Sequence, residues 1–266
     1  FAQYQHQITD SLDAILGVRV DDYSNIGSHT SPKGGLVYQV SDISSIKLLY
    51  GESFRAPSRF DTDAINNPRV EGNPDLRPEV ATTWELSWAY QVTDTYFNAT
   101  LYDTVIEDGI IQMPSLISDK RTWYNAKSLT MTGMELEFRW NPATDWQLYL
   151  SLSHQFSEAD ENNWQAGTLA AFQVSYNWSK WYFYIDGNYK GERNDVNNSD
   201  SGVLVIPHRT IFNISAAYQF SDTLSITSRI ANLMDKKDIA PSPNANNIFG
   251  TPERGRVFEF GIDWQF

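Results

Sequence analysis

Eight side chains carry the strongest case for chemistry in this chain: Arg55, Arg59, Arg69, Lys120, Arg121, Trp123, Tyr124 and Arg193. Guanidinium groups offer planar hydrogen-bond donors, and Trp and Tyr offer flat faces for stacking. All of them fall between patterned segments, on stretches rich in Pro, Gly, Asn and Asp, and therefore read as loop residues. What they could do is capture an anionic ligand without covalent chemistry, the cations focusing it against an otherwise acidic chain. The plainer account is that loop charges are simply solvated.

Other constellations carry less. Glu135 and Glu137 could look like a glycosidase dyad, but on one face of a strand they are more simply wetting residues. The histidines His6, His29, His154 and His208 are scattered, with no partner at metal-ligand spacing. The acidic runs 158–163 and 194–200 have oxygen ligands but not the regular spacing of a calcium loop, so they read as solvated tips. No Gly-x-Ser-x-Gly elbow or phosphate loop occurs. The expectation is therefore no enzyme activity, no catalytic residue, no metal and no cofactor. A net charge of −13 argues against a nucleic-acid partner, because phosphates repel such a surface. Cysteine is absent, which removes disulfides and thiolate metal sites.

The elements that must position these loops show themselves by alternation. At the C-terminal end Phe258, Phe260, Ile262, Trp264 and Phe266 share one face, and Glu259, Gly261, Asp263 and Gln265 the other. The pattern recurs in Leu12–Val20, Trp84–Tyr90, Met134–Trp140, Trp146–Leu152, Phe172–Trp178 and Phe212–Phe220. Mean hydropathy is only −0.44, and no stretch approaches the ~18 apolar residues of a membrane helix. A barrel escapes that requirement, since only every second residue of a strand meets lipid. Aromatics make up 14% of the chain, and rings with a polar tip suit the membrane–water boundary. The expected fold is all-β, a transmembrane antiparallel up-and-down β-barrel.

Short connections at 9–11, 41–42, 93–94, 141–145, 179–180 and 221–222 alternate with long ones at 22–32, 51–79, 108–128, 158–167, 191–207 and 235–255. Outer-membrane barrels have short periplasmic turns and long extracellular loops, so the alternation gives an orientation. It predicts about thirteen strands, each near the ~9–11 residues needed to cross a bilayer. The first and last would run the same way, so an up-and-down barrel needs further strands, expected before Phe1. With no Met and no leader at its start, the chain reads as a processed or truncated piece.

Five motifs sit on this pattern: 50–58 (YGESFRAPS), 72–79 (GNPDLRPE) leading into 83–86 (TWEL), 124–126 (YNA) with 133–136 (GMEL), 231–237 (ANLMDKK), and 255–258 (GRVF) with the terminal Phe266. In this order and spacing they resemble TonB-dependent outer-membrane receptors; Asp238 stands where that pattern has an aromatic. The resemblance implies the C-terminal part of a barrel of about 22 strands, with residues 1–266 containing no plug domain. It implies TonB-energised uptake in the intact protein, with a ferric siderophore as the first expectation and haem, cobalamin or an oligosaccharide as alternatives; a passive porin-like or adhesin barrel is the rival. Implied partners are outer-membrane lipid, TonB through the plug, an iron chelate or other small ligand, and the barrel-assembly machinery, which would recognise Phe258, Phe260, Ile262, Trp264 and Phe266. For 55–57 and 73–79 the plainer account is loop architecture: Pro57, Pro74 and Pro78 fix backbone angles, Gly72 supplies a turn, and Arg77 pairs with Glu79.

Overall fold

A computed structural model describes residues 1–23, 27–126, 128–156, 166–195, 204–240 and 251–265. Among them thirteen strands lie in one antiparallel sheet, ordered as in the chain. They are β1 (Ala2–Thr9), β2 (Leu12–Tyr23), β3 (Gly27–Ser41), β4 (Ser44–Arg55), β5 (Glu79–Gln91), β6 (Thr95–Glu107), β7 (Leu129–Ala143), β8 (Trp146–Gln155), β9 (Thr168–Trp178), β10 (Trp181–Lys190), β11 (Arg209–Ser221), β12 (Leu224–Ala231) and β13 (Val257–Trp264). Three two-stranded ribbons lie outside the sheet, pairing Ile110–Pro114 with Arg121–Asn125, Arg193–Asp195 with Leu204–Ile206, and Ile239–Ala240 with Thr251–Pro252. The chain divides into two compact units, Phe1–Trp88 with Thr100–Thr132, and Ala89–Ala99 with Gly133–Phe266.

In the first unit the register places Tyr4 opposite Leu16, Leu16 opposite Gly34 and Gly34 opposite Tyr50, so one face is apolar across four strands. On β5, Trp84, Leu86 and Trp88 are exposed while Glu85 and Ser87 are half-buried. The polar face ties itself together: Thr83 and Thr104, and Ser87 and Thr100, share hydroxyl hydrogen bonds of 2.9 Å. In the second unit Leu150 stands opposite Phe138 and Phe172, and Ile185 opposite Val174 and Ile214. Beside the short turns, Trp146 stacks on Tyr176 at 4.3 Å and Trp181 meets Tyr218 at 4.7 Å.

Burial runs opposite to that of a water-soluble protein. Apart from Pro57 and a few glycines, the buried apolar residues among those described are Leu76 and Ile206, neither in the sheet. Trp84 is 49%, Leu150 40% and Phe260 81% exposed. Buried positions go instead to Thr122, Ser175, Arg193, Arg209, Asn213, Asn232 and Asp238. Burial of apolar surface from water drives folding, so these exposed faces need a hydrocarbon surrounding. Where a side chain would obstruct that surface, glycine stands: a Cβ on Gly187 would lie 2.3 Å from a Phe172 ring carbon.

Three expectations are corrected. Residues 22–32 are not a long loop, because β2 and β3 stay paired from Val18–Pro32 to Tyr23–Gly27, leaving only 24–26 between them. Polar contacts line this extension: Arg19 donates to Asp21 at 2.7 Å within β2, and the His29 ring of β3 lies 3.3 Å from the Glu52 carboxylate of β4. Helical structure, nowhere legible in the periodicity, appears as one turn, α1 (Arg59–Asp63); Ser58 caps it, and the carboxylate of Asp61 accepts from the Ser58 amide at 2.9 Å. Finally, Arg77 and Glu79 do not pair with each other: Arg77 reaches Asp108 at 2.5 Å, and Glu79 takes Arg55 at 2.7 Å.

Candidate functional site

Most of the predicted loop residues lie on the long connections of the first unit. The segment 56–78 would wander without anchors, and four local devices pin it to the Ile110–Asn125 ribbon. Asn125 does the most: its side-chain carbonyl accepts from the Arg77 amide at 2.9 Å, and its side-chain amide donates to the Arg77 carbonyl at 2.8 Å and the Asp108 carbonyl at 2.7 Å. Asn73 donates to the Trp123 carbonyl at 2.8 Å. Val70 bridges Arg121 in parallel, with Arg121 donating to the Arg69 carbonyl at 3.0 Å and Glu71 to the Arg121 carbonyl at 2.9 Å. The Glu71 carboxylate accepts from Ser115 at 2.5 Å and Ser118 at 2.9 Å, and those bonds, Ser115 first, hold it below the usual glutamate range.

The motif residues at 55, 73, 77, 79 and 125 are thus mutual anchors. Arg55 forms a two-pronged pair with Glu79, at 2.7 and 2.9 Å, and Glu79 also accepts from the Ile110 amide. Gly72 serves close approach: a Cβ there would sit 2.4 Å from the Thr62 carbonyl oxygen and 2.5 Å from the Ala64 nitrogen, so the backbone comes against the end of α1. The other late motifs interlock in the same way. Asn232 and Asp235 hold left-handed backbone (φ 51° and 52°), and Asp235 accepts from the Arg256 amide at 2.8 Å. Gly255 leaves room for that carboxylate, since its Cβ would come within 2.9 Å of the Asp235 Oδ1.

The remaining cations differ. Among the described residues Arg59, Arg69, Lys120 and Arg121 form no ion pair, whereas Arg55 and Arg77 are engaged. Arg69, Lys120 and Arg121 share one backbone-linked strip, with Trp123 and Tyr124 next along the same strand. The Arg121 guanidinium donates to the side chain and carbonyl of Gln112, at 3.2 and 2.8 Å. Trp123 meets Phe60 of α1 edge-on at 5.3 Å, and the Tyr124 hydroxyl accepts from the Leu116 amide. Arg59 lines a cleft of about 390 Å³ with Thr62, Asp63, Pro74, Leu76, Arg77 and Pro78. The arrangement offers hydrogen-bond donors and ring faces.

Arg193 is placed otherwise. It belongs to the second unit, its side chain is 4% exposed, and it donates to the Ile239 carbonyl at 2.9 Å. Its neighbours Arg209, Asp238 and Glu253 were missed from sequence, although Asp238, standing where an aromatic was expected, was the available signal. Glu135 and Glu137 share a cleft with Tyr149, Ser151, Ser153 and Lys190, but Glu137 is taken by Arg139 at 2.5 Å. Among the described residues no group of three His, Asp or Glu could hold a metal. The runs 158–163 and most of 194–200 lie outside the described residues. In β13, Phe258, Phe260, Ile262 and Trp264 are exposed, while Phe266 is outside the described residues.

The chain as a whole is similar to proteins of known description. The chain is 27% identical over 234 residues to "Vitamin B12 transporter BtuB" of Photobacterium profundum, covering 84% of this chain and 37% of that protein. It is 22% identical over 315 residues to "Probable TonB-dependent siderophore receptor PirA" of Acinetobacter baumannii, covering 98% of this chain and 41% of the other. The crystal structure of that siderophore receptor superposes with a TM-score of 0.83 at 17% identity, over 99% of this chain and 45% of the other. The chain thus spans less than half the length of the relatives it matches. Residues 1–233 match the family described as "TonB dependent receptor-like, beta-barrel", and the chain belongs to that outer-membrane family.

Proposed function

We propose that residues 1–266 are the C-terminal portion of the barrel of a TonB-energised uptake receptor, with plug and remaining strands outside this chain, and that its ligand is a ferric siderophore. The observation that supports the ligand class is the strip of Arg69, Lys120 and Arg121, which form no ion pair among the described residues, beside Trp123 and Tyr124 in a chain of net charge −13. Arg59 borders it through the contact of Phe60 with Trp123. Arg55 and Arg193 act on the ligand indirectly, by holding loops. Anionic donors and aromatic rings on a chelate are what guanidinium groups and indole faces select. Uptake involves no covalent step on this reading: binding at the outer mouth selects, and movement of the plug releases. TonB would be met through the plug, and the apolar β13 face by the assembly machinery.

The test is growth of a receptor-deleted strain carrying the full-length gene, on a panel of ferric siderophores, haem, vitamin B12 and oligosaccharides. Growth on at least one anionic ferric chelate is expected, with a tenfold or greater loss of binding in a variant with Arg69, Lys120 and Arg121 changed to Ala. A second reading, cobalamin uptake, is favoured by the similarity to a vitamin B12 transporter. Complementation by vitamin B12 alone, unaffected by the triple variant, would replace the siderophore assignment.

A further inference from the structure

The second unit holds a cluster of four charges, Arg193, Arg209 and Asp238 buried and Glu253 exposed, apart from the cation strip. Arg193 opens the Arg193–Asp195 strand, whose partner is Leu204–Ile206, and Arg209 is the first residue of β11. Asp238 and Glu253 flank the Ile239–Ala240 and Thr251–Pro252 ribbon, where the Glu253 amide donates to the Asp238 carbonyl at 2.9 Å. Asp238 lies 2.7 Å from Arg209 and 3.6 Å from Arg193, and Glu253 makes a second contact with Arg209. The side chains of Arg193, Asp238 and Arg209 are 4%, 7% and 10% exposed. Two cations and two carboxylates balance, and the Arg193 bond to the Ile239 carbonyl ties the two ribbons directly. Ile206, at 2% exposure, is packed into the same region.

We propose that this quartet is an electrostatic latch, holding the two ribbons to each other and to the end of β11, and that the ribbons swing free as one unit when it opens. Buried opposite charges lose most of their hydration, so they persist only while paired; removing one partner leaves an uncompensated charge in the same space. Freeing Asp238 leaves the buried Arg193 without a carboxylate and Arg209 with Glu253 alone, so the ribbons release together. Asp238 is the central residue because it alone contacts both. The latch stands whatever ligand is taken up.

Hydrogen exchange on the full-length protein in detergent tests it. In Asp238→Asn, amides of 193–195, 204–206, 239–240 and 251 should exchange together and about a hundredfold or more faster, while those of β9 and β10 keep their rates. A double variant, Arg193→Met with Asp238→Leu, removes one charge of each sign and should recover part of that protection. Unchanged ribbon protection in Asp238→Asn overturns the latch, as does acceleration spread equally over β9 and β10. If Asp238→Asn fails to assemble, the double variant decides: protected ribbons support the latch, and ribbons that exchange as freely as an unfolded chain refute it.

Discussion

Leu150→Arg tests what surrounds the apolar face. Leu150 is near the middle of β8, 40% exposed, with Phe138 and Phe172 directly opposite on the two neighbouring strands. If hydrocarbon covers that face, an arginine near mid-depth costs about 2–4 kcal/mol. That is roughly a 30- to 700-fold change in the folding equilibrium, at about 1.4 kcal/mol per tenfold. If water covered it, the same change at a part-exposed position would cost no more than about 0.5 kcal/mol. Ser151→Arg is the matched control: one residue on, its side chain points to the other face and stands opposite Glu137, where a cation is welcome. The assay is reversible guanidinium unfolding of the protein in phospholipid vesicles, followed by tryptophan fluorescence. Equal costs for the two variants, or a Leu150→Arg cost below about 0.5 kcal/mol, would refute the inside-out reading.

Further outcomes follow from the loop anchors. Asn125→Ala removes three hydrogen bonds and should cost the first unit about 2–4 kcal/mol, read as faster amide exchange at Arg77 and Ala126 with β2–β3 unaffected. Gly72→Ala forces a Cβ against two backbone atoms that cannot rotate away, so α1 should detach; protease cleavage at Arg59 would report it, and unchanged resistance would count against the packing. Glu71 titrates below the usual glutamate range because Ser115 and Ser118 donate to its carboxylate. Its depressed folded value means that the tether is at full strength above the ordinary glutamate value and is lost as pH falls through the lower one. Tyr124 fluorescence and carboxyl NMR should therefore stay flat from pH 8 to about 5 and change only in more acidic solution, and Glu71→Gln should abolish the change.

How much of this was legible beforehand can be argued residue by residue. The strands were readable because a barrel strand needs only period-two alternation, which Trp84–Glu85–Leu86–Ser87 or Phe258–Glu259–Phe260 display without reference to any partner. The β2–β3 extension was not, since its upper residues are polar on both faces and only cross-strand pairing shows that they remain a ribbon. The candidate cations could be named from type and setting, but not sorted. Arg55, Arg59 and Arg193 look alike in sequence, yet one is clamped by Glu79, one is unpaired, and one is buried beside Asp238. Sequence distance hides those partners, which lie 24 residues away for Arg55 and 45 for Arg193.

The order of residues alone therefore determined which side chains share a face, where the short turns fall, and that water and hydrocarbon must take opposite sides, because alternation is a local property of an extended backbone. Only the tertiary structure decided which charges are spent on one another and which, among the described residues, form no ion pair. Pairing energy depends on separation and burial, and both are set by where the long loops fold back.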